Sequence, residues 1–251
     1  LVFPLARHRL PNDPFEARMY KPIEDYGIIG DLRTTALIGK DGSIDWCCFP
    51  NFDSPSVFGA LLDEKKGGYF KIEAPAQERR KQLYIPDTNL LVTRFLSNEG
   101  VGEILDFMPI ENRDGLIGDS RRRIVRRVTA VRGLVHFRLE CFPRFEYGQE
   151  QPNVHQKDRG YVFEGSRMRL QLLSPFDLDR VDHGVAGDFT LAAGDTIVFV
   201  LQTFEEGQIL RHTDADMDQG YRSTLRFWHD WISQCNYQGR WREMVHRSAL
   251  C

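Results

Sequence analysis

No stretch of this 251-residue chain approaches the ~20 consecutive apolar residues that a membrane-spanning helix needs. The opening LVFPLARHRLPNDP is broken by Pro4 and Arg7 before the apolar segment of an export signal could form. Cysteine is sparse: Cys47, Cys48, Cys141, Cys235 and Cys251 are odd in number, include an adjacent pair and show no C-x-x-C spacing. That pattern argues for free thiols and against a disulfide or zinc framework. Charge of one sign is also missing. Thirty-three Lys and Arg against 36 Asp and Glu leave a formal −3, so no long-range field favours nucleic acid or an anionic membrane. H-E-x-x-H, G-x-S-x-G, a Walker loop and G-x-G-x-x-G are absent, so metalloprotease, serine hydrolase and nucleotide readings lack their minimum parts. The expectation is a cytoplasmic protein with no cofactor, no metal, no nucleic-acid partner and no membrane contact. Neutral partners such as sugars stay open, and oligomeric state is unreadable.

What is present, at 41% hydrophobic residues, suffices for one large β-domain or two modest ones. The most informative stretch is residues 22–63. Residues 33–38 and 43–49 are rich in β-branched and aromatic side chains and flank Asp41-Gly42, which predicts a hairpin. On its second strand the two-residue period puts Ile44, Trp46 and Cys48 on one face, and Asp45, Cys47 and Phe49 on the other. Pro50 and Pro55 stop a central strand there. Ser54 followed by Pro55 predicts a helix N-terminus, with Val57, Phe58, Leu61 and Leu62 as its apolar stripe and Gly67-Gly68 past its end. Its free N–H groups could meet a sugar hydroxyl or an acidic partner, though plain capping by Asp53 and Ser54 is the simpler account.

Further strands are predicted at residues 68–74, at 89–97 and 101–108 around Asn98-Glu99-Gly100, and at 160–164, 167–174, 184–191 and 195–204. The basic run 121–127, RRRIVRR, opens an alternating pattern that continues through Val128 and Ala130. Past Arg132-Gly133 it resumes at Val135, Phe137 and Leu139. We read the arginines as the wet side of two antiparallel strands. Roughly ten to twelve strands with hairpin spacing argue for an antiparallel sandwich or barrel. Over residues 214–234 the period changes: Met217, Tyr221, Leu225, Trp228 and Ile232 recur at helical intervals, with Asp214, Asp216 and Asp218 at the favourable N-terminal end. Trp241, Met244, Val245, Ser248 and Ala249 begin a second amphipathic helix whose apolar face nothing in the chain remains to cover. The expectation is a truncated chain, with this helix the first of a further helical domain.

Residues 23–31 (IEDYGIIGD), 41–46 (DGSIDW) and 52–58 (FDSPSVF) resemble, in order and spacing, the N-terminal domain of bacterial trehalase-like and glucoamylase-like proteins of glycoside hydrolase family 15. The segment from Arg240 to Leu250 is similar to the R-W-x-x-x-V-x-R-S-A-L that begins the family's catalytic barrel. The resemblance implies an all-β fold, a large antiparallel β-sandwich (super-sandwich), then a helical linker and the first helix of an (α/α)6 barrel. It implies a tail at 1–21, the sandwich at 22–212, and linker plus barrel start at 213–251. It also implies an activity, hydrolysis of α-glucosidic bonds with inversion, whose two catalytic glutamates belong to the barrel and not to this chain.

Inversion needs two carboxyl groups about 6.5–9.5 Å apart, and sequence cannot place such a pair here. Glu205-Glu206, Asp177 and Asp179 read as turn or solvated residues, and His136 as a packed or surface residue. Two readings follow. In one, the chain is the non-catalytic portion of an α-glucoside or trehalose hydrolase, its downstream barrel the partner that the 52–58 loop and the Trp46 strand support. In the other, it is a stand-alone carbohydrate-binding sandwich, where Trp46, Phe52 and Tyr26 stack on sugar rings and Asp31, Arg33 and Asp53 bond the hydroxyls. The candidate substrate-binding or interdomain residues are Tyr26, Asp31, Arg33, Trp46, Phe52, Asp53 and Ser54.

Overall fold

A computed structural model describes residues 20–76, 79–110, 122–157, 160–204 and 214–250. The expectations for residues 1–19, Arg121, Glu205-Glu206 and Cys251 lie outside them. Among the described residues fifteen strands form two layers joined through one of their number, and every pairing between them is antiparallel.

The first layer holds β1 (Tyr26–Gly30), β2 (Thr35–Gly39), β3 (Ser43–Cys48), β4 (Ser56–Phe58) and β5 (Tyr69–Glu73). The second begins with β6 (Arg79–Tyr84), β7 (Leu91–Leu96) and β8 (Gly100–Phe107). The joining strand is β9 (Arg123–Phe142), 20 residues long. A one-turn segment, α1 (Phe145–Gly148), separates it from β10 (Asn153–Lys157), β11 (Gly160–Glu164) and β12 (Arg169–Leu173) of the second layer. Then β13 (Asp179–Val181) and β14 (Gly184–Ala192) return to the first layer, and β15 (Thr196–Thr203) to the second.

The two strands read from residues 121–139 are therefore one. Residues 123–133 of β9 pair with β8 and β15, and residues 134–142 pair with β14 and β5. Gly133 takes φ +71 where β9 passes between the layers, and only glycine fits there because a Cβ would meet the Glu99 carbonyl oxygen at 2.0 Å. Alternation then sends Ile72, Phe95, Ile104, Val128, Phe137, Leu139 and Phe199 into a fully buried core between the layers. Each such side chain contributes about 1.5–3 kcal/mol by leaving water.

The same alternation corrects the reading of the basic run. Arg126 shares its parity with Ile124 and Val128, so it points between the layers and is fully buried, paired with Asp106. Val125, of opposite parity, is buried too, beneath a helix on the outer face.

Two expectations for residues 43–62 are overturned by strand pairing. Ile38 pairs with Ile44 and Leu37 with Trp46, so Asp45 is an extra residue in a β-bulge. The bulge inverts parity, placing Ile44 in the core with Cys47 and Phe49. The helix predicted after Ser54 is strand β4, whose Phe58 and Ser56 pair with Cys47 and Cys48. Sheet pairing with β3 overrides the Ser-Pro start signal: as a strand, the segment bonds Cys47 and Cys48 and buries Val57 and Phe58. Strands β1, β6, β10 and β13 carry weak or polar patterns. With Arg79, Arg80 and Lys81 exposed on both of its faces, β6 is a charged edge strand.

Helix α2 (Asp214–Ser233) follows its predicted period. Trp228 and Ile232 cover Leu90, Phe107, Val125 and Val200 on the outer face of the second layer. Helix α3 (Arg242–Ala249) buries His246 and, just past its end, Leu250, while Trp241 and Met244 are 54% and 66% exposed. The face expected to lack cover is thus open at Trp241 and Met244, whereas a second, polar face of the helix is docked.

Candidate functional site

Where β1 ends, the Asp31 carboxylate accepts hydrogen bonds from the Arg33 and Thr34 N–H groups, both at 2.9 Å. This aspartate-closed turn forces Leu32 to φ +70 and leaves it 51% exposed. A left-handed non-glycine residue costs about 1–2 kcal/mol, so an exposed leucine held that way is notable. The Arg33 carbonyl accepts from the Phe52 N–H at 2.9 Å, which zips the 31–34 turn to the 50–55 loop. The Thr34 hydroxyl donates to the Cys48 carbonyl. Ser54 caps no helix: its hydroxyl accepts from the Asn51 N–H at 3.1 Å and closes its own turn. Phe52 at the tip is 61% exposed, and Arg33 and Asp53 are exposed beside it.

This end of the sandwich also meets α3. The Arg122 guanidinium lies 3.8 Å from the second Asp31 oxygen, both side chains nearly buried. A Cβ built on Gly30 would sit 3.9 Å from the Asn89 side-chain nitrogen. Asn89 accepts from Arg247 at 3.1 Å, and Arg247 also donates to the Thr88 carbonyl at 2.9 Å. The same guanidinium stacks 3.7 Å over the Tyr84 ring, whose hydroxyl bonds the Ile28 N–H and carbonyl at 2.8 and 3.0 Å. His246 pairs with Asp87 at 2.8 Å, and Asp87 itself is left-handed at φ +58. The 31–34, 50–55 and 85–90 loops and α3 therefore make one contiguous end face.

The seven sequence-predicted residues fall into three places. Asp31, Arg33, Phe52, Asp53 and Ser54 belong to the end face. Tyr26 stands at the opposite end of β1, about 17 Å from Asp31 at ~3.4 Å per residue. There its hydroxyl donates to Asp45 at 2.7 Å, in a network where Lys21 bridges Asp41 and Asp45 at 2.8 and 2.7 Å. Trp46 lies on the outer face of the first layer, half-buried, with the Tyr147 ring 6.4 Å away. Leu32, Asn89, Arg122, Arg247 and Tyr147 are the residues that sequence reasoning did not name as site candidates. Arg247 stood in a recognised motif, whereas Asn89 and Arg122 carry no local signal.

Burial pushes the Tyr26 phenol up, reinforced by its hydrogen bond to Asp45. Burial would also raise Asp41, but Lys21, Ser43 and Lys71 outweigh it and hold the carboxyl below its ordinary value of 3.8. A depressed folded-state pKa stabilises the protein above the unfolded value, and that stability is lost as pH falls through the folded one. Asp41→Asn is accordingly expected to narrow the stability difference between neutral pH and pH below about 4. Denaturant titrations of both proteins across that window check it, and parallel curves would refute it.

Among the described residues no group of three or more His, Cys, Asp and Glu could hold a metal ion. Asp177 accepts from Gln156 at 2.9 Å and Asp179 is exposed on β13, while His136 reaches Asp188 and Thr190 at 3.5 and 3.2 Å. What the end face offers is rigid polar turns presenting two exposed apolar tips, the chemistry of a contact surface.

The sequence model of the family described as "Trehalase-like, N-terminal" matches residues 15–203. A trehalase of Thermoplasma volcanium is 31% identical over 234 residues, 92% of this chain and 37% of its own length. Trehalase 1 of Sulfolobus acidocaldarius is 34% identical over 210 residues, 82% of this chain and 34% of its own. A Mycolicibacterium smegmatis trehalase is 27% identical over 256 residues, 92% of this chain and 37% of its own. The chain thus spans little more than a third of the length of these curated relatives.

Proposed function

The chain belongs to the trehalase-like N-terminal family, and from that premise we propose that it is the non-catalytic N-terminal portion of an inverting α-glucoside hydrolase of trehalase or glucoamylase type. The carboxyl pair that cleaves the bond belongs, on this reading, to a helical barrel further along the polypeptide. The present chain docks against that barrel and holds loops at the rim of its substrate site.

The observation that carries the reading is the end face. Three segments of the recognised motifs, around Asp31, Phe52 and Arg247, lie far apart in sequence yet converge there. Leu32 and Phe52 stand out from it as apolar tips on hydrogen-bonded turns, a form suited to filling pockets on a partner surface. Trp241 and Met244 add exposed apolar surface on α3, anchored to the sandwich through Arg247 and His246. The length left over in the trehalase relatives, roughly two thirds of 37%-covered chains, has room for such a barrel. Cys47, Cys48 and Cys141 are buried free thiols, which suits a reducing, cytoplasmic setting.

The 251-residue protein is expected to release no glucose from trehalose, maltose or isomaltose. A polypeptide extended by its downstream reading frame is expected to hydrolyse at least one of them. In the longer polypeptide, Phe52→Ala with Leu32→Ala should cut glucose release at least tenfold, about the effect of losing one buried interfacial anchor of ~2 kcal/mol. The melting temperature of the shorter protein should barely change. Turnover by the shorter protein, or full activity of the double variant, would overturn the reading.

A further inference from the structure

On the outer face of the first layer Trp46 stands beside Tyr147, and among the described residues Tyr20, Leu62 and Tyr147 are exposed in this region. Trp46 is half-buried with the Tyr147 ring 6.4 Å away, tilted by 34°. The Leu61 N–H donates to the Asp45 carbonyl at 3.0 Å, which brings the 61–62 turn alongside Trp46. Leu62 is exposed there, and its carbonyl accepts from the exposed Tyr20 hydroxyl at 3.3 Å.

The backbone that presents Tyr147 is unusual. Glu146, Tyr147 and Gly148 take φ of +51, +58 and +82, three successive left-handed residues. Two non-glycine residues in succession in that region are strained, and such strain persists where the surrounding structure holds it. Tyr147 is 52% exposed. The turn is closed beneath it by paired backbone hydrogen bonds between Phe145 and Glu150, at 2.9 and 3.0 Å, and by the buried Phe145 ring, so Tyr147 is presented from a fixed base.

We propose that Trp46 and Tyr147 form a binding platform for a linear α-linked glucose oligosaccharide. Two adjacent tilted rings suit the apolar faces of two consecutive sugar rings in a curved chain. The polar tips of Trp46, Tyr147 and Tyr20, with Lys66 and Glu146 at the rim, can bond the hydroxyls around them. A rim of mixed sign fits a neutral ligand better than a charged one. The choice of an α-glucan rests on the function proposed above, whereas the platform itself rests on the geometry alone.

Titration of the protein with maltoheptaose by calorimetry tests it. Binding is expected in the micromolar to millimolar range, and Trp46→Ala should weaken it by about tenfold or more. Tyr147→Gly is the sharper variant. It should lose binding while its melting temperature stays at or above that of the unaltered protein, since glycine accepts the left-handed backbone freely. A ring that only packs against Trp46 would instead lower the melting temperature and leave the titration unchanged. No heat with maltoheptaose, an unchanged titration in both variants, or self-association that Trp46→Ala abolishes, would each overturn the platform. Phe52→Ala should leave the titration unaffected. Hydrolysis by the longer polypeptide without oligosaccharide binding here would sink the platform alone. Binding here beside an inert longer polypeptide would sink only the function proposed above.

Discussion

Replacing Arg126 by methionine is expected to destabilise the protein by about 3–5 kcal/mol, because it strands a buried carboxylate. Arg126 and Asp106 are both fully buried, paired at 2.8 Å across β9 and β8. The guanidinium also donates to the carbonyls of Phe70 at 2.8 Å and Gly42 at 2.6 Å, and lies 4.7 Å over the Phe70 ring. Those two carbonyls belong to the first layer and the ion pair to the second, so one side chain ties the layers together. Burial pushes Asp106 up from its ordinary value while Arg126 pulls it back down. Without the guanidinium only the upward push is left. A carboxyl whose folded-state pKa is raised favours the folded state at low pH and loses that contribution as pH rises through it. The deficit of Arg126→Met should therefore grow between about pH 5 and pH 8. Arg126→Met with Asp106→Leu should recover much of the loss, since an apolar pair of similar volume needs no charge compensation. Denaturant unfolding of the three proteins at both pH values decides it. A single-variant loss under about 1 kcal/mol would show that the pair does not hold the layers.

Gly42→Ala should be nearly as damaging, at about 2–4 kcal/mol, for a steric reason. Gly42 closes the β2–β3 hairpin at φ +84, and a Cβ there would fall 2.0 Å from the Ile72 carbonyl oxygen. Neither the backbone of β5 nor the turn can move away cheaply. The Gly42 carbonyl accepts from the Ile72 N–H at 3.2 Å and from Arg126. Gly194 supplies the control, with φ +93 and open space where a Cβ would go. Gly194→Ala should cost only the left-handed term, about 1 kcal/mol. If both substitutions cost the same, the close approach at Gly42 is not what makes glycine necessary there. Because Gly42 and Arg126 share a hydrogen bond, their losses should fall short of additive when combined.

The hairpin around Asp41-Gly42, the strand pairs flanking Asn98-Glu99-Gly100 and the long amphipathic helix were legible because each is written in contiguous residues. Turn chemistry and the periods of two and 3.6 act over a few positions and need no partner. Within the end face, the motif residues Asp31, Phe52 and Arg247 were legible as members of a recognised pattern. That they meet was not, since Arg247 reaches Asn89 and Thr88 across more than 150 residues of chain. Arg126 shows the limit most plainly. Parity puts it on the side of Val128 while a run of arginines reads as solvated surface, and only the tertiary structure sets a buried aspartate opposite it.

From the residues themselves came the all-β class, the hairpin turns, the switch to helix near residue 214 and the family. Tertiary structure decided three other things: that Ser56–Phe58 is a strand, that Asp45 bulges and inverts its neighbours, and that α3 docks by its polar face. Local signals are worth about 1 kcal/mol each, and burial of a phenylalanine or pairing of a buried charge outweighs them. Only the assembled layers determine which side chains receive that burial.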